Sequence, residues 1–253
     1  MSKIIYIFFI SFLCLIFYFL IFFLNRDSNT EKSNQRVEVQ SKKEYFIRGI
    51  DVSHYQGKIN WKLVKEQKIR FAYIKATQGI RFKDKRFFFN WNETKKNKIP
   101  QGAYHFFDLC ASGKLQAANF TKIVPKDLRM LPPVVDLELF KNCTNPPEKK
   151  DFLKELKDFV NSVEAKYKKR PMLYVIWDVY EKYLVGEMQD YPVWISDPWK
   201  HEEPALPEKK NWILWQYNYE GKVKGISGYV DLNYFNGDEI QFDKWINSNL
   251  LTQ

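Results

Sequence analysis

Two carboxylic acids, Asp136 and Glu138, stand two positions apart in an apolar segment. Side chains two apart on a β-strand face the same way, so a strand here would present both carboxylates on one side. When two ionised carboxylates are neighbours they repel, and one keeps its proton to a higher pH. Hydrolysis of a glycosidic bond needs such a pair, one protonated acid for the leaving oxygen and one anion beside the sugar carbon. An isolated Asp-x-Glu also occurs as a purely structural element, with the acids capping a turn or meeting a basic residue.

Two further acids, Asp51 and Asp231, lie in other apolar segments of strand length. In a barrel of parallel strands, catalytic groups gather at the carboxyl ends of the strands. We therefore expect all four acids to lie near one opening, with Asp136 and Glu138 pointing into it.

Eight apolar runs predict the strands that position these acids. They cover residues 46–52, 71–76, 102–107, 131–139, 172–177, 193–196, 212–217 and 229–233. Helical stretches separate most of them, and the clearest helix has its apolar residues three or four positions apart. These residues are Phe152, Leu156, Phe159, Val163 and Tyr167. The last three strands follow one another with little helix between them, and a helix over 239–246 comes last.

Alternating strands and helices are typical of an α/β protein with a parallel sheet. Eight strands within residues 44–253 favour a modified TIM-like (β/α) barrel with fewer than eight helices. An open, doubly wound sheet is the alternative architecture.

Residues 4–24 form an uncharged apolar run that would make a helix about 31 Å long, which matches a bilayer core. A cleavable signal peptide is the alternative, but its apolar core is normally shorter and small residues mark its cleavage site. Residues 25–43 are polar and charged without hydrophobic period, which indicates a flexible tether. We therefore predict a membrane anchor over residues 1–24, a tether over 25–43 and a catalytic barrel over 44–253.

Charge and cysteine content leave several questions open. The net charge of +10 favours polyanionic surroundings without choosing among nucleic acid, an anionic membrane and an acidic cell wall. Basic residues after the apolar run would place the following domain in the cytoplasm by the positive-inside rule, but that rule is weak before a large domain. Cys110 and Cys143 could pair outside the cytoplasm, although nothing in the sequence requires it.

Other chemistries have weaker support. His54 and His105 could join the carboxylates in a metal site, yet their spacing matches no metal motif, and hydrogen-bonded histidines in a core or pocket are the better interpretation. The sequence has neither a glycine-rich phosphate loop nor a Gly-x-Ser-x-Gly elbow. Its lysines lie mainly on predicted helix faces and in the tether, which argues against a nucleic-acid groove.

Several aromatic residues fall in or just after predicted strands. They are Tyr73, Tyr104, Tyr174, Trp177, Trp194, Trp215 and Tyr217. Any one of them could belong to the core. Several together around a barrel opening would suit a sugar polymer, because their rings present flat apolar faces.

Six segments, in order, resemble the motifs of family 25 glycoside hydrolases, the Chalaropsis-type lysozymes. They are GIDVSHYQG (49–57), FAYIKATQG (71–79), GAYHFF (102–107), PVVDLE (133–138), WQY (215–217) and VDLNYFNG (230–237). The resemblance covers residues 48–253. It implies an eight-stranded barrel that hydrolyses the β-1,4 bond between N-acetylmuramic acid and N-acetylglucosamine in peptidoglycan, with no metal or other cofactor.

The resemblance also implies roles for individual residues. Glu138 matches the family's general acid, and Asp136 matches the partner that either orients the substrate's N-acetyl group or stabilises the charged intermediate. Asp51 and Asp231 match two further acids of the pocket. Substrate contacts are expected at Tyr104, Tyr174, Trp194, Tyr73 and Gln216. The segment after the sixth strand departs from the family pattern, and its Asp197 is expected to add a carboxylate near the opening.

We interpret the chain as a membrane-anchored peptidoglycan muramidase. Its expected partners are the glycan strands of peptidoglycan and, through the N-terminal helix, the membrane. We expect it to be a monomer that binds no nucleic acid. Because the substrate lies outside the cytoplasm, we expect the catalytic domain there too. Two alternatives stay open: a catalytically silent wall-binding domain, and a glycosidase for another N-acetylated polymer such as chitin.

Overall fold

The computed structural model describes residues 47–127, 129–139, 143, 145–199 and 203–250. Residues 1–46, which include the whole predicted membrane anchor, the whole predicted tether and the first three residues of the predicted catalytic barrel, lie outside the described residues. None of the helices in the described part of the chain has both the length and the apolar character needed to cross a bilayer.

The described residues contain nine β-strands in one sheet. They are β1 (Arg48–Val52), β2 (Phe71–Gln78), β3 (Phe82–Lys83), β4 (Gln101–Phe106), β5 (Val134–Leu137), β6 (Met172–Ile176), β7 (Val193–Ser196), β8 (Leu214–Gly221) and β9 (Val230–Phe235). Eight of them close into a barrel in the order β1-β9-β8-β7-β6-β5-β4-β2, because β1 also pairs with β2. The short strand β3 pairs only with β2. The predicted eight-stranded barrel is confirmed, and the pairing of β1 with β2 excludes an open sheet.

Six helices accompany the strands in the described part of the chain. They are α1 (Trp61–Glu66), α2 (Phe87–Lys96), α3 (Gly113–Ile123), α4 (Lys149–Tyr167), α5 (Trp177–Val179, continued by a π-helical turn at Tyr180–Leu184) and α6 (Glu239–Leu250). The apolar stripe predicted for α4 is the face that the helix buries, including Phe152, Phe159 and Val163.

The last strand corrects the prediction of a parallel sheet. Strand β9 runs antiparallel to both β8 and β1, whereas the other pairings within the barrel are parallel. Only residues 222–229 connect β8 to β9. A parallel connection needs a crossover of about a dozen residues or more, so this link can only return the chain antiparallel.

Helix α6 covers one end of the barrel. Its Phe242 packs against Phe71 at the first position of β2 and against Phe235 at the last position of β9, with ring centroids 6.0 and 5.2 Å apart. Arg70 donates hydrogen bonds of 2.6 Å to Glu239 and so fixes the start of the helix. Apolar side chains therefore fill this end of the barrel.

Cys110 and Cys143 form a disulfide bond, which decides the pairing that the sequence left open. Cys110 follows β4 and Cys143 follows β5, so the bond joins the two segments that leave neighbouring strands of the barrel. One of these segments continues directly from the acid pair at the end of β5.

We expect the double variant Cys110→Ser/Cys143→Ser to lose about 3 to 4 kcal/mol of unfolding free energy, because a bond that closes a loop of this length removes much entropy from the unfolded chain. Denaturant unfolding monitored by circular dichroism would measure the loss. Wild-type protein kept in dithiothreitol is the matched control and should unfold at the denaturant concentration of the variant. Equal stability of oxidised wild type and variant would contradict the expectation.

Candidate active site

A cavity of about 380 Å³ opens at the carboxyl ends of the parallel strands, and all four predicted acids line it. Asp136 lies within β5 and Glu138 follows that strand directly, while Asp51 lies in β1 and Asp231 in β9. The closed barrel brings these residues together although up to 180 positions separate them, 51 to 231, along the chain.

Asp136 and Glu138 form a buried acid pair. Burial raises the pKa of Asp136 well above its ordinary value, and the neighbouring charge of Glu138 raises it further. Burial likewise raises the pKa of Glu138. Within the described residues, Oδ1 of Asp136 has no hydrogen-bond partner although it is buried. The pair therefore retains a proton at a pH at which ordinary carboxylic acids are ionised, as acid catalysis requires.

Asp51 and Asp231 form a second acid pair, directly opposite each other in the antiparallel register of β1 and β9. Burial raises the pKa of Asp51 to about 6, although Asn233 and Gln216 donate hydrogen bonds to its Oδ2 atom at 2.8 and 2.9 Å. Burial and the charge of Asp51 raise the pKa of Asp231 to about 9. Asp231 therefore keeps its proton to a higher pH than Asp51 does.

Lys75 is a cationic residue of the site that was not predicted from the sequence. It lines the cavity and lies only 7% exposed, with its Nζ atom 3.0 Å from Gln78 Oε1 and 4.5 Å from the centre of the Phe106 ring. Burial lowers its pKa, while the charges of Asp136 and other acids oppose that shift. The available signal was a lysine between two apolar residues of β2, Ile74 and Ala76.

Four of the five expected substrate contacts line the cavity, namely Tyr104, Tyr174, Trp194 and Gln216. The fifth, Tyr73, does not: it is completely buried, its hydroxyl donates to the carbonyl of Pro132 at 3.3 Å, and its ring packs 5.0 Å from that of Trp194. Tyr73 lies two positions before Lys75 on the same face of β2 and so lies deeper in the barrel.

Other sequence-based expectations need correction. Asp197 is buried and does not line the cavity. Its backbone N–H donates to the backbone carbonyl of Gln216, and its own backbone carbonyl accepts from the Trp215 indole. For Trp215 and Tyr217 the sequence left both the core and the opening possible; neither lines the cavity, and the Tyr217 ring stacks 3.9 Å from that of Tyr234. Conversely, Ser53, Tyr55, Gln56, Ser196 and Tyr219 line the cavity without having been predicted.

The two histidines considered as metal ligands are hydrogen-bonded inside the fold. His54 Nδ1 lies 2.6 Å from Asp84 Oδ2, and His105 contacts Thr77 and Gln116 at 2.7 and 3.1 Å. Burial lowers the pKa of His105 to about 3, so this ring stays neutral. Among the residues that the structure describes, no three His, Cys, Asp or Glu side chains are grouped as metal ligands would be.

The raised pKa values predict that the folded domain loses stability as pH rises. Above pH 3.8, the ordinary pKa of aspartic acid, the folded state holds protons on Asp51 up to about pH 6 and on Asp231 up to about pH 9, whereas the unfolded chain does not. The free energy of unfolding should fall with rising pH in this window, by up to about 1.4 kcal/mol per pH unit for each group. Urea unfolding between pH 5 and 9 measures this dependence.

The double variant Asp51→Asn/Asp231→Asn is the control for that experiment, since it removes both titrating groups with little change of shape. Its stability should vary less with pH than that of the wild type. A wild-type stability that increases from pH 5 to pH 8 would contradict the expectation.

Comparison with known proteins gives consistent matches. The sequence profile of glycosyl hydrolases family 25 matches residues 50–226. Lysozyme M1 from Streptomyces globisporus is 36% identical over 206 residues, covering 76% of this chain and 68% of that protein. The structure of a family 25 glycosyl hydrolase from Bacillus anthracis has a TM-score of 0.75 and 38% identity, covering 79% of this chain and 93% of the other. A bacterial lysozyme from Streptomyces coelicolor has a TM-score of 0.74 and 32% identity, covering 82% and 98%.

Proposed function

The chain belongs to glycosyl hydrolases family 25, and we propose from this membership that it is a lysozyme acting on bacterial peptidoglycan. The bond cleaved is the β-1,4 linkage between N-acetylmuramic acid and N-acetylglucosamine. The observation that carries the proposal is the cavity lined by four acids, two of which form a buried pair at the end of β5. The similarity to lysozyme M1 and to the Streptomyces coelicolor lysozyme supports the same activity.

Glu138 is the general acid in this proposal. Its carboxyl group keeps its proton because burial disfavours the ionised form, and it delivers that proton to the glycosidic oxygen as the bond breaks. Once the leaving sugar departs, the Glu138 carboxylate can accept a proton from the water that completes hydrolysis.

Asp136 assists at the sugar carbon. Its Oδ1 atom lacks a hydrogen-bond partner among the described residues and so has a free acceptor for a substrate group such as an N-acetyl N–H. Positive charge develops at the sugar carbon in the transition state, and an adjacent carboxylate stabilises it. Asp51 and Asp231 complete the cavity, and the charge of Glu138 raises the pKa of both, so these three acids interact electrostatically.

A digestion experiment tests the activity. The full-length chain in detergent would be incubated with purified peptidoglycan, the new reducing ends counted and the fragments identified by mass spectrometry. Fragments with reducing N-acetylmuramic acid at their ends are the expected result. Intact glycan that retains the protein would favour a wall-binding domain, and cleavage of chitin at an equal rate would favour a broader glycosidase; either would overturn the proposal.

We further propose that residues 1–24 anchor the protein in the membrane and that residues 25–43 tether a catalytic domain, residues 44–253, outside the cytoplasm. The uncharged run of residues 4–24 is long enough to span a bilayer. The Cys110–Cys143 disulfide supports the location, because such bonds persist mainly in oxidising compartments. A topology reporter fused after Lys43 tests it: activity of a reporter that works only in the cytoplasm would contradict this placement.

We propose that the enzyme acts as a monomer, since one chain supplies all four acids of the cavity. Sedimentation of the detergent-solubilised chain over a range of concentrations would measure its mass, and a stable dimer would contradict the proposal.

A further inference from the structure

The end of the barrel opposite the cavity carries a group of exposed basic residues, here called the basic face. The parallel strands start at this end, and helices α1 to α4 end there, because each of these helices leads back to the start of a strand. The basic face consists of Arg48, Lys65, Lys68, Lys98, Lys122, Lys126, Lys166 and Lys168. None of them forms an ion pair with another residue that the structure describes.

Acidic residues at this end do not cancel the charge of the basic face. Several of them are already paired with other basic residues, and Glu66 and Asp190 offset the remaining charge only in part. The pairs are Glu93 with Lys96, Asp127 with Lys95 and Arg129, Glu164 with Arg170, and Glu239 and Asp243 with Arg70. The barrel is thus polarised along its axis, with excess positive charge at one end and the acid-lined cavity at the other.

Three lysines of the basic face have a backbone conformation that disfavours lysine. Lys68, Lys98 and Lys168 each lie just past a helix, with φ angles of 60°, 55° and 58°. Glycine is the usual residue in this left-handed conformation, because the Cβ atom of any other residue crowds the following carbonyl oxygen. Basic residues within the last turn of a helix already stabilise its dipole. The fold therefore gives no reason for lysine at these three positions, whereas an anionic partner does.

Two further features of this end fit the surface of a lipid bilayer. Ile240 on α6 is 80% exposed and lies two positions before Phe242, so it is on the side of the helix that faces away from the barrel. An exposed apolar side chain together with basic residues is typical of a surface that lies in the membrane interface. A recess of about 250 Å³ beside the first residue of β4 is lined by Lys95, Lys98 and Arg129, together with Asp127. Its excess of basic side chains suits a phosphate headgroup.

We propose that the basic face docks onto a bilayer of anionic lipids. Besides charge complementarity, the course of the chain favours this partner, because β1 starts with Arg48 at this end and residues 1–46 therefore join the barrel here. A flexible segment of the length of residues 25–46 spans about 25 Å on average. It keeps this end close to a membrane that residues 4–24 span. The inference goes beyond the proposed lysozyme activity and rests on the proposed anchor.

Docking in this way orients the catalytic domain. The cavity opens at the opposite end of the barrel, so a docked barrel presents its four acids to the glycan on the far side from the membrane. Anionic lipids also repel these acids, which disfavours the inverted orientation. A tether alone restricts the distance of the domain from the membrane, whereas the basic face also determines which end points outwards.

Lysine footprinting of the full-length chain tests the docking. The chain is placed in nanodiscs of phosphatidylcholine, alone or with about one third phosphatidylglycerol, and its lysines are acylated and located by mass spectrometry. In the anionic discs Lys68, Lys98 and Lys168 should react at least about fivefold more slowly than in the neutral discs, and about 1 M salt should remove the difference. The exposed Lys58 and Lys114, which follow the carboxyl ends of β1 and β4, should react equally in both. Equal reactivity of the basic face in both discs would overturn the proposal.

The triple variant Lys68→Gly/Lys98→Gly/Lys168→Gly removes charge without harming the fold, because glycine adopts these φ angles at no steric cost. Docking should weaken by about 100-fold, so that Lys122 and Lys126 react in anionic discs nearly as fast as in neutral ones. Arginine at the same three positions is the matched control and should preserve the protection. None of the three lysines lines the cavity, so cleavage of peptidoglycan in detergent should keep its wild-type rate. Undiminished protection in the glycine variant would overturn the proposal.

A soluble polyanion is the alternative partner of the basic face. Poly(glycerol phosphate) added to the neutral discs should protect these lysines less than the anionic lipid does, and stronger protection by the polymer would overturn the proposal. Failure of the proposed anchor would be seen differently, as a chain that does not co-elute with the discs. Phosphatidylglycerol vesicles mixed with that chain should still protect the basic face, and absence of protection there would also overturn the proposal. Because footprinting does not depend on cleavage, its result is independent of the lysozyme activity.

Discussion

Replacing Glu138 with glutamine should reduce peptidoglycan cleavage by about 10²- to 10⁴-fold, the usual contribution of a general acid. Glutamine has nearly the same shape as glutamic acid, but it has no acidic proton to give to the glycosidic oxygen. The release of reducing ends under single-turnover conditions measures the loss. Binding of glycan should change little, because no cavity is opened and no new charge is introduced.

Two controls make this result specific to proton donation. Glu66→Gln changes an exposed glutamate on α1 in the same way and should cleave at the wild-type rate. An aryl glycoside with an acidic phenol as leaving group needs no proton, so Glu138→Gln should lose much less activity on it than on peptidoglycan. Equal losses on both substrates, or a Glu138→Gln variant with more than about a tenth of wild-type activity, would contradict the role of Glu138.

Replacing Asp136 with asparagine should have two opposite effects, a loss of activity and a gain in stability. Cleavage should fall by about 10²- to 10³-fold, as when a group that stabilises transition-state charge is removed. The loss should be as large on the aryl glycoside as on peptidoglycan, because charge develops at the sugar carbon with either leaving group. This distinguishes Asp136 from Glu138.

The gain in stability follows from the raised pKa of Asp136. An acid whose pKa is higher in the folded than in the unfolded state destabilises the fold above its unfolded pKa, because ionisation is easier in the unfolded chain. The neutral amide does not have this cost, so Asp136→Asn should melt at a higher temperature than the wild type at pH 7. The difference should disappear near pH 3, where the acid is protonated in both states.

Asp158→Asn is the matched control for both effects. Asp158 lies on the solvent side of α4 and pairs with Lys154, so its replacement should change neither the cleavage rate nor the direction of the pH dependence. An Asp136→Asn variant that melts below the wild type at pH 7 would show that the ionised carboxylate stabilises the fold and that the assignment of its raised pKa is wrong.

Together, these variants separate the two members of the acid pair. The activity lost when Glu138 is replaced should be larger for a leaving group that needs more protonation. The activity lost when Asp136 is replaced should be similar for every leaving group. The surroundings of the two acids also differ, because Asp136 has a buried oxygen without a hydrogen-bond partner among the described residues.

Local pattern determined the order of the elements. Each of the eight predicted strands overlaps a strand of the barrel, and the apolar residues predicted for α4 are buried in it. Such runs reveal strands and helices because burial repeats with a period of two or close to four residues. The alternation at Asp136 and Glu138 likewise placed both acids on one face, and both line the cavity.

Depth within the barrel was not determined by local pattern. Phe71, Tyr73 and Lys75 alternate along one face of β2, yet the first packs under α6, the second is completely buried and only the third lines the cavity. Periodicity gives the face of a strand but not the height of a residue along the barrel axis. That height depends on the register between strands, which only the closed sheet fixes.

The sequence by itself thus determined the barrel and its four acids, while the tertiary structure decided their electrostatic state. Asp51 faces Asp231 only because β9 returns antiparallel beside β1. The side-chain amides that donate to Asp51 belong to Asn233 on β9 and to Gln216 on β8. Burial, hydrogen-bond direction and the Cys110–Cys143 disulfide all arise from contacts between residues distant in the chain. No local pattern encodes such contacts, because they exist only after the barrel has closed.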